Sequence, residues 1–139
     1  MIPESVRTLV DTAPLAHLTT LNEDGSPQVT VVWVGIENDE FVIGHMHEHH
    51  KVRNIRRDGR VALSFLGSGT NSRGLREYVV AYGKARITEG GAANLLQRLA
   101  HLYIRPGAEF PPAALRDRPG FVTRIRPERF TGVGPWAGK

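Results

Sequence analysis

The chain has 139 residues, 40% of them hydrophobic and 23% charged, with a formal net charge of +4 and no cysteine. That length suits one domain of ordinary size, residues 1–139, and the composition is that of a globular protein. Disulfides, thiolate metal sites, iron–sulfur clusters and cysteine nucleophiles are all excluded.

Pro3 to Thr12 reads as a short helix, with Pro3 and Glu4 in a first turn, Val6, Leu9 and Val10 on one stripe, and Pro14 as its stop. The start of the chain lacks the basic residues and apolar run of a signal peptide, so the cytoplasm is the expected compartment. Leu15 to Leu21 is a strand candidate, followed by the turn formers Asn22-Glu23-Asp24-Gly25. Gln28 to Ile36 is apolar on both faces, with Val29, Val31 and Trp33 on one and Val32, Val34 and Ile36 on the other. A strand of this kind is covered on both sides, by a barrel interior on one and a helix or second subunit on the other. Its longest apolar run, Val31 to Val34, is far too short to span a bilayer.

Glu37 to Glu40 makes a second turn, and Glu40 to Met46 a third strand. Lys51 to Arg57 has the spacing of a short helix, with Val52 and Ile55 toward a core and Lys51 and Asn54 sharing a neighbouring face. Arg60 to Leu66 is a fourth strand, Gly67 to Gly74 a loop, and Leu75 to Thr88 a long fifth strand. Ala92 to Ile104 is the clearest helix, with Leu95, Leu99 and Leu102 on one stripe. Pro111 to Pro119 allows a helical turn. Phe121 to Val133 is a sixth strand interrupted at Pro127, so part of it should lie on an edge or at a bend. Six strands joined mainly by turns, with helices at three points, predict a mainly β protein built on a closed antiparallel barrel.

The stretch from His45 to Arg60 concentrates the charge. It holds four of the six histidines, and Lys51, Arg53, Arg56, Arg57 and Arg60 against only Glu48 and Asp58. A cationic turn between two apolar strands points to an anionic ligand. The helix that starts there has no Ser, Thr, Asp or Asn to cap it, so its free N–H groups beside Lys51 read either as a phosphate site or as a solvated cationic face. His45, His47 and His49 alternate and nearly spell HxHxDH. His49 stands where Asp belongs, however, and only His17 and His101 remain to complete a site. Lys51 likewise spoils HExxH. No metal is expected, and a polar strand end is the plainer account. The wall from Gln28 to Trp33 reads as barrel core, or as a strand whose backbone meets the edge of a planar heterocycle. No Gly-x-Gly-x-x-Gly, P-loop, nucleophile elbow or spaced carboxylate pair is present, and no catalytic residue is assigned.

Three stretches carry a resemblance: Leu18 to Trp33 (LTTLNEDGSPQVTVVW), Lys51 to Asp58 (KVRNIRRD) and Arg124 to Arg129 (RIRPER). In this order and spacing they resemble the pyridoxamine 5′-phosphate oxidase-like split-barrel superfamily, and most closely its deazaflavin (F420)-dependent reductases. The resemblance implies a six-stranded, FMN-binding-like split β-barrel and a homodimer with two cofactor sites at the subunit interface. Carried over by position, Lys51 and Asn54 lie by the cofactor phosphate, and Gln28, Val29, Thr30, Val31 and Val32 flank the ring system. His45 and His49 take places where members often have Ser or Thr and Arg. Trp136, on a polar tail, is expected to pack on the partner subunit or over the cofactor.

The function implied is an oxidoreductase in which reduced coenzyme F420 passes a hydride to an unsaturated small-molecule acceptor. That chemistry asks the protein for orientation over roughly 3–3.5 Å rather than for a nucleophile. The alternative is the same fold with FMN, as an oxidase or flavin reductase. A nucleic-acid-binding module is the third reading; no aromatic residues interleave with the basic segment, and no nucleic acid partner or membrane span is expected.

Overall fold

Helix α1 (Glu4–Val10) starts at Pro3 and buries Val6 and Val10. A computed structural model, describing residues 1–139 throughout, continues with β1 (Ala16–Leu21), β2 (Pro27–Val32), β3 (Gly35–Glu37), β4 (Glu40–His45), α2 (His50–Arg57), β5 (Arg60–Thr70), β6 (Arg76–Glu89), α3 (Ala92–Tyr103) and β7 (Phe121–Val133). The seven strands form one antiparallel sheet in the order β2-β1-β5-β6-β7-β4-β3, a split barrel with flanking helices.

Local chemistry sets the hairpins. The β1–β2 turn closes with Asn22 N–H donating to the Ser26 carbonyl at 2.8 Å. Between β3 and β4, Asn38 and Asp39 both adopt positive φ, 51° and 63°, the pair of left-handed residues a two-residue turn needs to match strand twist. Eighteen buried residues, among them Phe41, Phe65 and Phe130, fill the barrel. A second cluster seats α3 on β4 and β7 through Leu95, Leu96, Leu99, Val42 and Val122.

The sheet has seven strands where six were expected, because the run from Gln28 to Ile36 breaks in two. Trp33 leaves the sheet to stack on Tyr103, ring centres 5.3 Å apart, and Val34 N–H donates to the Tyr103 hydroxyl at 3.1 Å. The expected loop from Gly67 to Gly74 is shorter. β5 runs on to Thr70, its Gly67 and Gly69 lying directly against the Glu77 side chain on β6. On α3 the apolar stripe is Ala92, Leu95, Leu96, Leu99 and Ala100, while Leu102 is 53% exposed. The last turn presents Tyr103 instead, whose hydroxyl donates to the Pro14 carbonyl at 2.7 Å. Pairing of β4 with β7 ends at Ile125, and the β6–β7 register shifts opposite Gly83, so Pro127 sits at an irregular, half-edge position.

Trp136 is displaced from its expected place. It is 3% exposed within its own chain, part of the barrel core, and its indole N–H donates to the Tyr78 carbonyl at 2.9 Å. Gly134, at φ 148°, lies directly against the ring, where a side chain would collide. The tail therefore folds back as a plug, and the indole is available neither to a partner nor to the cavity described below. No helix is long and apolar enough to cross a membrane.

Candidate functional site

The barrel does not close. β2 is hydrogen-bonded to β1 alone, and β4 to β3 and β7, so a gap separates the free edge of β2 from the end of β4. A cavity of about 370 Å3 opens there, large enough for the reactive ring system of a cofactor. Its apolar end is built from Leu15, Trp33, Leu96, Phe110 and Leu115, and its polar end from His45, His47, His49 and Lys51, with Val31 and Val32 between them. The unpaired edge of β2 leaves backbone N–H and C=O groups facing outward along this side, which strands avoid unless something covers them.

The sequence places Lys51 in the first turn of α2, and the fold aims it at the cavity. Its ammonium is half-buried, 3.4 Å from Thr30 Oγ1, and none of the seven ion pairs includes it. Burial holds its pKa below the usual lysine value. The N-cap of α2, His49, makes no side-chain capping bond, and neither the His50 nor the Lys51 N–H has an acceptor. A half-buried cation with only a long hydroxyl contact and no acidic partner is costly. Together with free N–H groups at a helix start it is the chemistry of an anion site.

The remaining charge of the segment is spent elsewhere. Arg56 pairs with Glu48, and Arg60 with Asp58 at 2.7 Å. Arg53 donates to the Glu48 carbonyl at 2.8 Å, and Arg57 to the Leu21 carbonyl at 2.6 Å. The cationic grip expected from five basic residues thus narrows to Lys51, because short-range partners satisfy the arginines first.

Asn54 lies one turn after Lys51, but its amide is fully engaged. Its Nδ2 donates to Thr20 Oγ1 and Asn22 Oδ1, each at 3.0 Å, and Arg57 donates to its Oδ1 at 2.8 Å. It is buried and ties α2 to the β1–β2 hairpin, with Gln28 at the edge of the same network. Of the expected residues the fold therefore gathers Val31, Val32, His45, His49 and Lys51 around the cavity, with Thr30 touching Lys51. Gln28, Val29, Asn54 and Trp136 are not among its walls. Of the far end, sequence reasoning had only Trp33, as the last residue of the apolar wall; it missed Leu96 on α3 and Phe110 and Leu115 in the segment before β7, which no local pattern links to it.

His45 is buried, its Nε2 2.7 Å from Thr123 Oγ1. Burial first, then the charges of Lys51 and His49, lower its pKa to about 3, so it is neutral at physiological pH. His49 is shifted down by the same kinds of cause: partial burial, Lys51 and His47. The His47 and His49 rings sit edge to face with centres 5.7 Å apart. No three His, Asp or Glu side chains are gathered in a metal-binding arrangement.

No curated protein sequence matches this chain. Among solved structures it is similar to an F420 reductase, at 27% identity and TM-score 0.72, covering 94% of this chain and 98% of that one. It is also similar to a conserved hypothetical protein of Mycobacterium tuberculosis (22% identity, TM-score 0.72, covering 95% and 84%) and to the HupZ protein of Group A Streptococcus (20%, 0.68, covering 100% and 99%). The split barrel, the cavity at its open seam and a family match spanning residues 2–134 agree: the chain belongs to the pyridoxamine 5′-phosphate oxidase family.

Proposed function

We propose that this protein is a reductase that binds reduced coenzyme F420 in the seam cavity and passes a hydride to an unsaturated small-molecule acceptor. The observation that carries the reading is Lys51, a half-buried ammonium with no acidic partner at the mouth of a cavity whose other end is aromatic. Membership of an oxidase family supports oxidoreductase chemistry, and the likeness to an F420 reductase at 27% identity favours the deazaflavin over FMN.

The residues present fit the cofactor's chemistry. Lys51 and the open start of α2 would hold its phosphate, while the free edge of β2 at Val31 and Val32 would meet the polar rim of its rings. Trp33, Phe110 and Leu115 exclude water from the far end, where a flat apolar acceptor finds cover. Bound there, the deazaflavin would supply the hydride from C5, and the chain's own contribution is orientation and desolvation.

A second copy of the chain completes the proposal. The outer face of β2, β1, β5 and β6 carries Val29 and Val31, 58% and 56% exposed, with Leu66, Tyr78 and Tyr82 also exposed. An apolar sheet face of this kind is a surface for a homodimer, and Val31 joins it to the cavity.

Titration of the purified protein with F420 and with FMN, followed by fluorescence, tests the reading. Lys51→Ala should weaken binding by about 1–3 kcal/mol with little change in thermal stability, because a charged hydrogen bond is lost near the surface. Oxidation of reduced F420 should then be seen with members of an acceptor panel. Affinity unchanged by Lys51→Ala, or FMN binding at least tenfold tighter than F420, would reverse the assignment.

A further inference from the structure

Strand register sets a row of charged side chains across the sheet. Arg60 on β5 stands opposite Lys84 on β6, and Lys84 opposite Arg126 on β7. Glu40, one residue before the Phe41–Ile125 pair, begins β4 beside Arg126. Like charges directly opposite one another destabilise a sheet. Lysine on an edge strand guards against aggregation, but β6 is the central strand of the seven. Arg60 is answered by Asp58 at 2.7 Å. The neighbouring cross-strand pair, Arg86 and Arg124, is also basic, and each has its own carboxylate, Glu40 for Arg86 and Glu37 for Arg124. Lys84 and Arg126 take part in none of the seven ion pairs.

The backbone holds these two cations together. The β6–β7 register shifts between Tyr82 and Gly83, so Glu128 is an extra residue on β7 with none opposite it. A bulge of this kind re-aims side chains. Here it puts Arg129 over the Tyr82 ring, 4.0 Å from its centre, and leaves Arg126 beside Lys84. Gly83 lets the strands close up, since a Cβ there would lie 2.2 Å from the Arg126 carbonyl oxygen.

A cavity of about 210 Å3 opens over this point, lined by Glu40, Lys84, Ala85, Arg86 and Arg126. That is below the roughly 300–1,000 Å3 of pockets that enclose ring-bearing ligands, and it suits a compact charged group. Its one acid is committed, because Arg86 donates to both Glu40 oxygens. The seam cavity is elsewhere. Glu40 and His45 are the two ends of β4, roughly 16 Å apart at about 3.3 Å per residue, and no residue lines both cavities. The apolar face assigned above to a second copy runs along β6 through Tyr78 and Tyr82. The cationic row crosses the sheet beyond them, toward β4.

We propose that Lys84, Arg86 and Arg126 form a second anion site, matched to a compact oligophosphate. Its source is either a free diphosphate or triphosphate, or the diphosphate of a nucleotide. Arg126 offers a planar fork to one phosphoryl group and Lys84 a point charge to the next. Arg86, already fixed by Glu40, needs no reordering to add a third contact. An oligoanion seated there supplies the carboxylate that Lys84 and Arg126 lack, and turns repulsion between β6 and β7 into attraction. Orthophosphate, with a single phosphoryl group, reaches fewer of the three. The site stands independently of which cofactor the seam cavity holds.

The test is isothermal calorimetry of the full-length protein with inorganic diphosphate, triphosphate, orthophosphate and ADP at physiological ionic strength. Diphosphate and triphosphate should bind saturably, about tenfold or more tighter than orthophosphate. Lys84→Gln/Arg126→Gln should weaken both by about tenfold or more, Lys84→Arg should retain them, and Lys51→Ala should leave them unchanged. Without ligand and at low salt, the double variant should melt no lower than the unmodified protein, because a repulsion has been removed. ADP binding alongside diphosphate assigns the site to nucleotides; diphosphate binding without ADP assigns it to free oligophosphate. No saturable diphosphate binding at millimolar concentration would overturn the proposal, as would a loss that follows Lys51→Ala rather than the double variant. So would a change of oligomeric state in the double variant by sedimentation, which would mean that Lys84 and Arg126 pair with acids of a second copy.

Discussion

Nε2 of His45 lies 2.7 Å from Oγ1 of Thr123, on neighbouring strands β4 and β7 and out of reach of solvent. Burial, then Lys51, then His49 depress the histidine's pKa from 6.5 to about 3. Its folded-state pKa is below its unfolded one, so its contribution to stability is complete above pH 6.5. It is lost as pH falls toward 3, because the unfolded chain takes up a proton the folded chain refuses. The loss approaches about 1.4 kcal/mol per pH unit. Urea unfolding between pH 7 and 4.5 should show His45→Gln with a visibly flatter dependence than the unmodified protein; equal slopes would mean the imidazole is already protonated in the fold.

Asn54 is expected to be a stability residue. Asn54→Ala strips the donor from buried Thr20 and from Asn22 and leaves Arg57 without that acceptor. Unsatisfied buried groups cost about 1–3 kcal/mol each, so a loss of about 2–4 kcal/mol should appear in chemical denaturation. A change under about 0.5 kcal/mol would show that water replaces the amide.

Trp136→Ala should destabilise the fold by about 3–5 kcal/mol, the range for emptying a large aromatic site, because the indole fills the barrel and bonds to Tyr78. The same substitution should leave cofactor affinity within about twofold once the protein is folded. A large affinity loss at full stability would return the tail to the cavity.

Val29 lies on the bare outer face and outside the cavity walls. Val29→Glu would place a carboxylate from each copy in an apolar interface, at a desolvation cost on the order of several kcal/mol per charge. Sedimentation should show the unmodified chain as a dimer and the variant as a monomer at micromolar concentration. A variant that still dimerises would move the interface elsewhere.

Much of the architecture was readable residue by residue. Alternating Val61, Leu63 and Phe65 are buried on β5, and the Asn38-Asp39 turn closes β3 and β4 as its residue types demand. Local rules failed where a distant side chain intervened. Trp33 reads as strand, but Tyr103, seventy residues away, pulls it out of the sheet. Leu102 fits the helical stripe of α3, but the fold leaves it exposed and buries Leu96 and Ala100 instead. Trp136 reads as an indole for a partner subunit or a cofactor, because nothing nearby in sequence marks a place for it in its own core.

By itself the sequence determined the antiparallel strands, the three helices and a basic segment beside an apolar wall, since period, turn chemistry and charge are properties of neighbouring residues. Only the tertiary structure decided which charge in that segment is free. Arginines reach long distances and take the nearest acceptors on Glu48, Asp58 and the Leu21 carbonyl, while Lys51 is turned by α2 toward a seam with no acid within reach. Which of five cations meets a ligand depends on where partners lie in space, and spacing along a chain does not carry that information.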